Sequence, residues 1–449
     1  MPGGLRRRLV ALTIGALAVT AFVPAVAQAA QPNTNSPSTI DAMRAQLRAG
    51  TLLQSTKVID FCAQVHAACD LKGLAAGGSS KPLSTTEPIG YGAADLANAY
   101  HLPAAGVGAN GTIAILDAGA YPNLESDLNT YRAEYGLPAC TTASGCLKIA
   151  DYKGGAPLTP DPSDLGKAEE EDVAVETSLD VDMASAACPE CHIIELQLPD
   201  ADGFPSSQAD EDVAIGDFGT AVKTAVAMGA NAVSMSYQYD PDAYSDTGQP
   251  ARDLYQPGVA VLASSGDGGF EFNLSGWPQD LPSVVSVGGT SLLASGSKYT
   301  QVAWDGAGSS CATDEPPAIG QPKSVSKACG GHRAASDISA VADPTTGVAT
   351  YDTYAPASGE PQQWGVWGGT SASSPFVAAL YARGGHLSQV LGPNTLYSAK
   401  KGTFTDVTLG QNAPNGSCQS LSYGTSVCQA GKGWDGPTGV GTPHGLAGF

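Results

Sequence analysis

Ser371 is the side chain whose surroundings in the sequence best suit a nucleophile. It lies in the string Gly-Gly-Thr-Ser-Ala-Ser-Ser-Pro, residues 368–375, and an apolar run, Phe376–Tyr381, follows. A serine among such small residues at the start of a helix can present its hydroxyl to a substrate. The helix N-terminus also favours negative charge that develops beside it. The alternative is an ordinary serine that caps the helix and does no chemistry.

A serine hydroxyl is a weak nucleophile and needs a base, which two carboxyl groups could provide. Glu176 and Asp180 stand four residues apart in a stretch with helical apolar spacing, 171–187, so they share one face of the predicted helix. Two carboxylates that close resist double ionisation, so we expect the pair to hold one proton over part of the acidic range. The alternative is a solvated acidic face, because further acidic residues lie nearby: Glu169, Glu170, Glu171, Asp172 and Asp182.

A third candidate is Asp267, in the string Ser-Ser-Gly-Asp-Gly-Gly, residues 264–269, after the predicted strand Val259–Ala263. Binding sites of parallel sheets cluster at the carboxyl ends of strands. An aspartate there could bind a calcium ion or cap a turn. It could also donate a hydrogen bond while protonated, and so stabilise an oxyanion.

Together these motifs resemble those of the sedolisins, or serine-carboxyl peptidases, a family with a subtilisin-like fold. The matching strings are an ExxxD helix, an SGDxG loop and a GTSxSxP serine, spread over about residues 86–449. The resemblance implies that Ser371 is the nucleophile and Glu176 the general base. It also implies that Asp180 is the partner of Glu176 and that Asp267 is the acid of the oxyanion hole.

The sequence lacks the histidine base on which subtilisins rely. It has no His-Gly-Thr-His string, and its six histidines lie in other settings: His66, His101, His192, His332, His386 and His444. Asp117 ends a predicted strand where a subtilisin would keep its catalytic acid. Without a histidine, we interpret Asp117 as structural or supporting.

The carboxyl-terminal region is similar to the sedolisin calcium site. The resemblance implies one structural Ca²⁺, held by the carboxylates of Asp406 and Asp435 and the carbonyls of Val407, Gly431 and Gly433; these oxygen ligands suit a hard cation. The alternative is two turns with aspartate caps. An insertion, residues 411–430, departs from the simplest form of that site.

The elements that must position these residues follow an α/β pattern after Tyr91. Strands are predicted at 112–116, 192–196, 232–235, 259–263 and 284–287, and helices at 40–49, 125–135, 171–187 and 210–228. Strands that alternate with helices imply a mainly parallel sheet covered on both faces. The resemblance implies the three-layer, subtilisin-like form of this α/β architecture.

Three segments are predicted along the chain. Residues 1–30 read as a signal peptide, because three arginines precede a 15-residue apolar run and small residues follow. Residues 31–85, with a linker-like 77–82, read as a short prosegment or N-terminal extension, and residues 86–449 as the peptidase domain. Sedolisins usually have a much larger prodomain, so the route of activation is open. We expect a secreted, extracellular protein with no membrane contact after signal cleavage.

Composition limits the partners. The 43 acidic residues against 22 basic ones give a formal charge of −21, which disfavours nucleic acid and anionic lipid as partners.

The ten cysteines fall into five close pairs, as expected for disulfides in an exported chain. Sequential pairing needs the shortest loops, but the sequence does not fix the connectivity. A Cys-Pro-Glu-Cys string, 188–191, could also indicate a redox or zinc site, although a second such pair is lacking.

The function predicted from the sequence is that of a monomeric serine-carboxyl endopeptidase. It would cut protein or peptide substrates at acidic pH through an acyl-enzyme. Two alternatives keep the same fold: a catalytically silent peptide-binding protein, and an esterase or acyltransferase that uses the same serine.

Overall fold

Short runs of apolar and β-branched residues between turns form the strands. The computed structural model describes residues 37–52, 56–108, 111–240, 246–271, 276–413, 418 and 423–449. Its strands are β1 (Thr56–Asp60), β2 (Lys72–Ala76), β3 (Thr112–Ala118), β4 (Leu147–Asp151), β5 (His192–Leu198), β6 (Ala232–Met235), β7 (Ala260–Ser264), β8 (Phe270–Glu271), β9 (Val285–Ser295), β10 (Lys298–Ala303), β11 (Ser309–Ala312), β12 (Arg333–Ala335), β13 (Ile338–Val341), β14 (Val348–Asp352), β15 (Gln363–Gly368), β16 (Phe404–Thr405) and β17 (Thr442–Pro443).

Ser163 and Ser207 cap the N-termini of the two longest helices, and the left-handed residues His66 and Gly385 end two others. The helices are α1 (Pro37–Arg48), α2 (Phe61–Val65), α3 (Ala93–Ala99), α4 (Leu124–Glu134), α5 (Asp164–Ala187), α6 (Asp200–Gly203), α7 (Gln208–Ala227), α8 (Gln249–Leu254), α9 (Lys323–Ala328), α10 (Thr370–Gly384) and α11 (Asn394–Ser398). The predicted helices are confirmed as α1, α4, α5 and α7. The prediction for α5 began too late, because Ser163 caps the helix and extends it by two turns towards the N-terminus.

A mainly parallel sheet forms the centre of the fold, as predicted. Its strand order is β10-β9-β7-β6-β3-β5-β4, with β13 also paired to β9. Every pairing in it is parallel except that of β10 with β9. Since the carboxyl ends of parallel strands meet at one edge, the residues that follow β3, β6 and β7 lie close together. Asp117, Ser236 and Asp267 come from these three strand ends.

Helices flank this sheet, and two of them carry the candidate chemistry. Helices α5 and α10 pack against each other; α10 also packs on β6, β7 and β9, and α5 on β3. Helix α7 packs on β5 and β3 with α8 beside it. From Val173 to Ala187 every residue of α5 is buried, which explains its small and apolar composition.

A second, antiparallel sheet joins the N-terminal segment to the rest of the fold. Its order is β1-β2-β15-β14, so β2 lies against the strand that leads into Ser371. The sequence predicted one helix and a linker in this region but neither strand. Both strands are only five residues long and alternate poorly, and β15, which joins β2 to the rest of the sheet, lies almost 300 residues later in the chain.

All five cysteine pairs form disulfides in sequential order: Cys62–Cys69, Cys140–Cys146, Cys188–Cys191, Cys311–Cys329 and Cys418–Cys428. The Cys188–Cys191 bridge follows the C-terminus of α5, so the redox or zinc alternative is not needed to explain it.

The predicted signal peptide, residues 1–30, lies outside the described residues. Among the helices that the structure describes, none combines the length and the apolar character that a bilayer span requires.

Candidate active site

Ser371 lies at the start of α10, in a position that differs from an N-cap. Gly369 is the N-cap and Ser371 is the second helical residue, so its hydroxyl is not used for capping. Gly369 has a φ of 95°, and a Cβ there would come within 2.1 Å of the carbonyl oxygen of Asp70 and 2.6 Å of Asp267 Oδ2. Only glycine fits at this point, where three parts of the chain meet next to Ser371.

The Glu176 carboxyl lies next to the Ser371 hydroxyl, inside the packed α5–α10 interface. Both side chains are completely buried. In the described part of the chain, neither Ser371 Oγ nor the two Glu176 oxygens make a hydrogen bond of ordinary geometry. The hydroxyl is nevertheless close enough to oppose part of the rise in the Glu176 pKa. The Ser371 hydroxyl is therefore placed to interact with the Glu176 carboxyl.

The electrostatics of Glu176 favour a proton. Burial raises its pKa well above the ordinary value, and the charges of Asp117, Asp70 and Asp267 raise it further. The solvated-face alternative is therefore wrong for Glu176. It holds in part for the first turns of α5, where Glu169 is partly exposed.

Asp180 lies one helical turn beyond Glu176 and is also completely buried. Its two oxygens accept hydrogen bonds from Ser236 Oγ at 3.1 and 2.9 Å. Burial raises the pKa of Asp180 well above its ordinary value, and the charges of Asp117 and Glu176 add to the rise. The two carboxyl groups of the expected acid pair are thus both buried on α5, and Ser236, which follows β6, holds Asp180 in place.

Asp267 approaches Ser371 from the end of β7. Its Oδ1 accepts hydrogen bonds from Thr370 N at 2.7 Å and Thr370 Oγ1 at 3.0 Å, which fixes the carboxyl at the start of α10. Its Oδ2 is buried and has no hydrogen-bond partner among the described residues. Burial raises the pKa of Asp267 to about 7, against the opposing charge of Lys72. If Oδ2 carries the proton, its O–H has no acceptor among the described residues and is available to donate a hydrogen bond to a substrate.

Two more buried carboxyl groups extend this cluster into the sheet. Asp117, at the end of β3, and Glu195, on β5, are fully buried, and their oxygens make no hydrogen bond within the described chain. Burial raises the pKa of Asp117 to about 7 and that of Glu195 well above its usual range. The charge of Asp117 raises the pKa of both Glu176 and Asp180, and its structural or supporting role stays a prediction.

The N-terminal segment between β1 and β2 lies directly over Ser371. The backbone N–H of Ser371 donates to the carbonyl oxygen of Asp70 at 3.3 Å. The sulfur atoms of Cys62 and Cys69 and one oxygen of Glu176 all lie within 4.8 Å of one another. This segment explains why the serine and the glutamate are shielded from water.

Comparison with known proteins supports the family that the motifs suggested. No model of a known protein family matches the chain. Kumamolisin of Bacillus sp. (strain MN-32) is 29% identical over 393 residues, 80% of this chain and 63% of its own length. Sedolisin of Pseudomonas sp. (strain 101) is 28% identical over 397 residues, 81% of this chain and 61% of its own length. The chain is similar to the sedolisin family over about four fifths of its length.

A solved structure agrees with the fold. Pseudomonas sedolisin, a serine-carboxyl proteinase complexed with two molecules of pseudo-iodotyrostatin, matches with a TM-score of 0.59 and 23% identity over 80% of this chain and 96% of that chain. The chain spans less than two thirds of the length of the two curated sedolisin relatives, so the shared region is the part compared.

The residues expected to hold calcium lie together near the carboxyl end. Asp406 accepts from Gly433 N at 3.1 Å, and Asp435 accepts from Gly431 N at 2.9 Å, so both carboxylates meet the same short loop. In the described residues, the carbonyl oxygens of Val407, Gly431 and Gly433 accept no hydrogen bond. Two carboxylates and three free carbonyls form an all-oxygen donor set that fits a hard cation.

Sequence reasoning missed two residues that contact the candidate catalytic groups. Ser236 follows the buried strand β6, and its distance from Asp180 in the sequence gave no sign of the contact. Asp70 lies in a segment without regular periodicity. The close pair of cysteines that flank it, Cys62 and Cys69, was the available signal that this segment has a fixed shape.

The buried acids make the stability of this protein depend on pH. The pKa of Asp117 and of Asp267 is about 7 in the folded state, against about 4 in an unfolded chain, so the folded state binds more protons between these values. Their contribution to stability is therefore complete below about pH 4 and is lost as the pH rises through about 7. We expect the Tm of the Ser371→Ala variant, which cannot digest itself, to fall by several degrees between about pH 5 and pH 8.

Calorimetry or circular dichroism measures this slope. The matched control carries Asp117→Asn and Asp267→Asn as well, and its Tm should change less over the same range. A Tm that rises with pH, or a slope that the two substitutions leave unchanged, would contradict the assignment of the raised pKa values.

Proposed function

We propose that the chain is an exported serine-carboxyl endopeptidase that hydrolyses peptide bonds at acidic pH. One observation carries the proposal. Glu176, Asp267 and Ser371 come from elements far apart in the sequence, meet in one buried site, and keep unpaired oxygens there within the described residues. Buried polar groups normally find partners, and exceptions of this kind cluster where chemistry is done.

In the proposed reaction, Ser371 Oγ attacks the carbonyl carbon of a peptide bond. Glu176, ionised at that moment, takes the hydroxyl proton. Asp180, held by Ser236, shares the proton and charge of the acid pair. The backbone N–H of Ser371 and a protonated Oδ2 of Asp267 donate to the developing oxyanion.

The second half of the reaction returns the site to its starting state. Glu176 gives its proton to the leaving amine as the C–N bond breaks, which leaves an ester between Ser371 and the acyl part of the substrate. Water then attacks this ester with Glu176 again as base, and the new carboxyl end departs. A free histidine is not required in any step.

Export is proposed from the N-terminal sequence and from the disulfides. Five disulfides in one chain suit an oxidising compartment. The apolar run within residues 1–30 suits a signal peptide. The monomeric state stays a prediction from the sequence.

Substitution of Ser371 tests the proposed nucleophile. Ser371→Ala should reduce hydrolysis of a denatured protein by roughly 10⁴-fold or more, because no second hydroxyl can replace it. Glu176→Gln should cost roughly 10²–10⁴-fold, since an amide cannot accept the proton. Quantitative mass spectrometry of the products measures both.

Ser373→Ala is the matched control, because Ser373 Oγ donates to the carbonyl oxygen of Thr370 at 2.8 Å within the same helix turn. This variant should keep most of the activity. Equal activity of the wild type and Ser371→Ala would exclude the mechanism. Hydrolysis of esters alone, with no peptide cut, would favour the acyltransferase alternative.

Asp267→Asn tests the oxyanion acid through the pH profile. Activity requires Asp267 to be protonated, so it should fall as the pH rises through about 7, the pKa of this carboxyl. Asparagine keeps an N–H donor and cannot ionise, so the fall on the alkaline side should shift to higher pH or disappear. The fall on the acidic side, which reflects protonation of Glu176, should remain. A variant whose alkaline limb coincides with that of the wild type would count against the proposed donor.

We further propose that one Ca²⁺ binds to Asp406, Asp435 and the three carbonyls near them, where it would neutralise two neighbouring carboxylates and fix the terminal loops. Chelation should then lower the Tm of the Ser371→Ala variant by several degrees, since an ion that binds only the folded state adds about 2.7 kcal/mol at 100 times its Kd. Asp406→Asn should remove most of the response to added Ca²⁺. An unchanged Tm with and without chelator, measured by calorimetry, would speak against the site.

A further inference from the structure

A buried tyrosine hydroxyl joins two buried carboxyl groups that the proposed reaction does not use. Tyr121 follows β3, Asp127 lies on α4 and Asp352 ends β14, and the exposed fraction of each is 4% or less. Tyr121 Oη lies 2.8 Å from Asp127 Oδ2 and 2.9 Å from Asp352 Oδ1. Both distances are typical of hydrogen bonds between oxygen atoms. Three parts of the chain therefore meet in one row of oxygens.

This row of oxygens needs one proton more than the tyrosine can supply. A hydroxyl donates one full hydrogen bond, so Tyr121 satisfies only one of the two carboxylates. The other contact requires a proton on a carboxyl oxygen, with the tyrosine oxygen as its acceptor. Without that proton, two negative charges would approach one hydroxyl in a buried place, which is costly. The geometry thus indicates that Asp127 and Asp352 share one extra proton.

The two carboxyl groups fix the start of the loop 353–358, which follows β14. Asp127 accepts a hydrogen bond from Thr353 N at 2.8 Å, and its two oxygens accept from Thr353 Oγ1 at 2.8 and 2.9 Å. Asp352 Oδ1 accepts from Tyr354 N at 2.8 Å. The shared proton therefore holds together the two groups to which the loop is bound.

Acidic residues of α5 hold the rest of this loop. Glu170 Oε2 accepts from Tyr354 Oη at 2.7 Å. Glu171 Oε2 accepts from the N–H groups of Ala357 and Ser358, both at 2.8 Å. The loop is thus attached to α4 and α5 through carboxyl oxygens.

The attached loop forms part of the wall of a cleft beside α5. The cleft has a volume of about 400 Å³, and its lining includes Asp352 and Tyr354 together with Asp172 and Val175 of α5. Val175 directly precedes Glu176, so the cleft adjoins the proposed general base. A cleft of this size beside a reacting group is suited to hold a side chain of a substrate.

The surroundings of Asp352 favour the extra proton. Burial raises the pKa of Asp352 to about 7, and the charges of Asp127 and Glu171 act in the same direction. Hydrogen bonds from Tyr354 N and Tyr121 oppose the rise. The pKa and the count of protons therefore agree.

Further ionisable groups lie on the elements packed against Asp352 and in the same cleft. They are Tyr351, Asp182, Arg132, Lys81 and Glu360. The charge of Asp352 raises the pKa of Asp182, which is itself buried. Lys81 forms an ion pair with Glu360 at 3.0 Å. In the described part of the chain, no lysine or arginine is among the charges that shift the pKa of Asp352.

We propose that one proton, shared by Asp127 and Asp352 through Tyr121, latches the loop 353–358 and so shapes the cleft for a substrate. The latch itself is independent of the proposed function, and only the use of the cleft by a substrate rests on it. The pKa of Asp352 is raised in the closed latch, so the closed state binds more protons than an open one. The latch is therefore most stable below about pH 4 and loses this stability as the pH rises through about 7.

Hydrogen exchange of the loop tests the latch in the full chain with Ser371→Ala, which cannot digest itself. Mass spectrometry gives the protection factors of the amides of residues 353–358 at about pH 5 and about pH 8.5, corrected for the intrinsic effect of pH. They should fall by roughly 10- to 100-fold over this range, because the extra proton is lost near pH 7. Added Asp352→Asn cannot ionise and keeps an N–H donor for Tyr121, so the loop should be equally protected at both pH values. Added Tyr121→Phe removes the bridge and should give low protection already at pH 5.

Tyr351→Phe is the matched control, because it removes a hydroxyl from the same strand, where the ring packs on Trp364 at a centroid distance of 5.0 Å. Its loop should respond to pH as that of the parent does. Exchange of α5 is followed in the same samples, and only a fall confined to the loop supports the latch. Equal protection of the parent at both pH values, an equal fall across α5, or a pH response that Asp352→Asn retains overturns it.

Steady-state kinetics separate this inference from the proposed function. In the active protein at about pH 5, Tyr121→Phe should raise the KM for a peptide substrate several-fold and change kcat less, because Tyr121 acts through the wall of the cleft. An unchanged KM overturns the role of the cleft. Absence of turnover in every form overturns the proposed function, while pH-dependent exchange confined to the loop still supports the latch.

Discussion

The burial of several carboxyl groups around one serine hydroxyl is the constraint on which the rest of this structure depends. Glu176, Asp180 and Asp117 are fully buried and Asp267 is partly buried; in the described part of the chain, no lysine or arginine is among the charges that shift the pKa of Glu176 or Asp180. Ionised carboxyls in such a place are costly, so they must share protons and hold their pKa values high. A group that keeps or releases a proton according to its neighbours is what acid–base chemistry needs.

The fold supplies this environment through two elements that have no exposed face there. Helix α5 is buried on all sides over its second half, and α10 packs between it and the sheet. A surface helix would solvate Glu176 and return its pKa to the ordinary range. The small residues of α10 and the glycine at position 369 let the chain pass close to Asp267 and to the carbonyl of Asp70. Packing density thus sets the acid–base behaviour of the site.

The sequence allowed the two helices and the carboxyl ends of the strands to be predicted, since those patterns are local. Glu176 and Asp180 are four residues apart, and Ser371 lies in a short string of small residues, so a window of a few residues contained the signal. Ser236 and the strands β1 and β2 could not be found in this way. The position of Ser236 depends on the edge of the central sheet. The position of β1 and β2 depends on the pairing of β2 with β15, which is distant in the sequence and leaves only a faint pattern in five residues.

The covering segment also adjusts the acids below it. Asp70 raises the pKa of Glu176 by its charge, and Asp60 does the same for Asp267. Lys72, at the start of β2, acts in the opposite direction and lowers the pKa of Asp267. The segment between β1 and β2 therefore influences the protonation of Glu176 and Asp267 in two ways, because it carries charges and because it keeps water away from buried carboxyl groups.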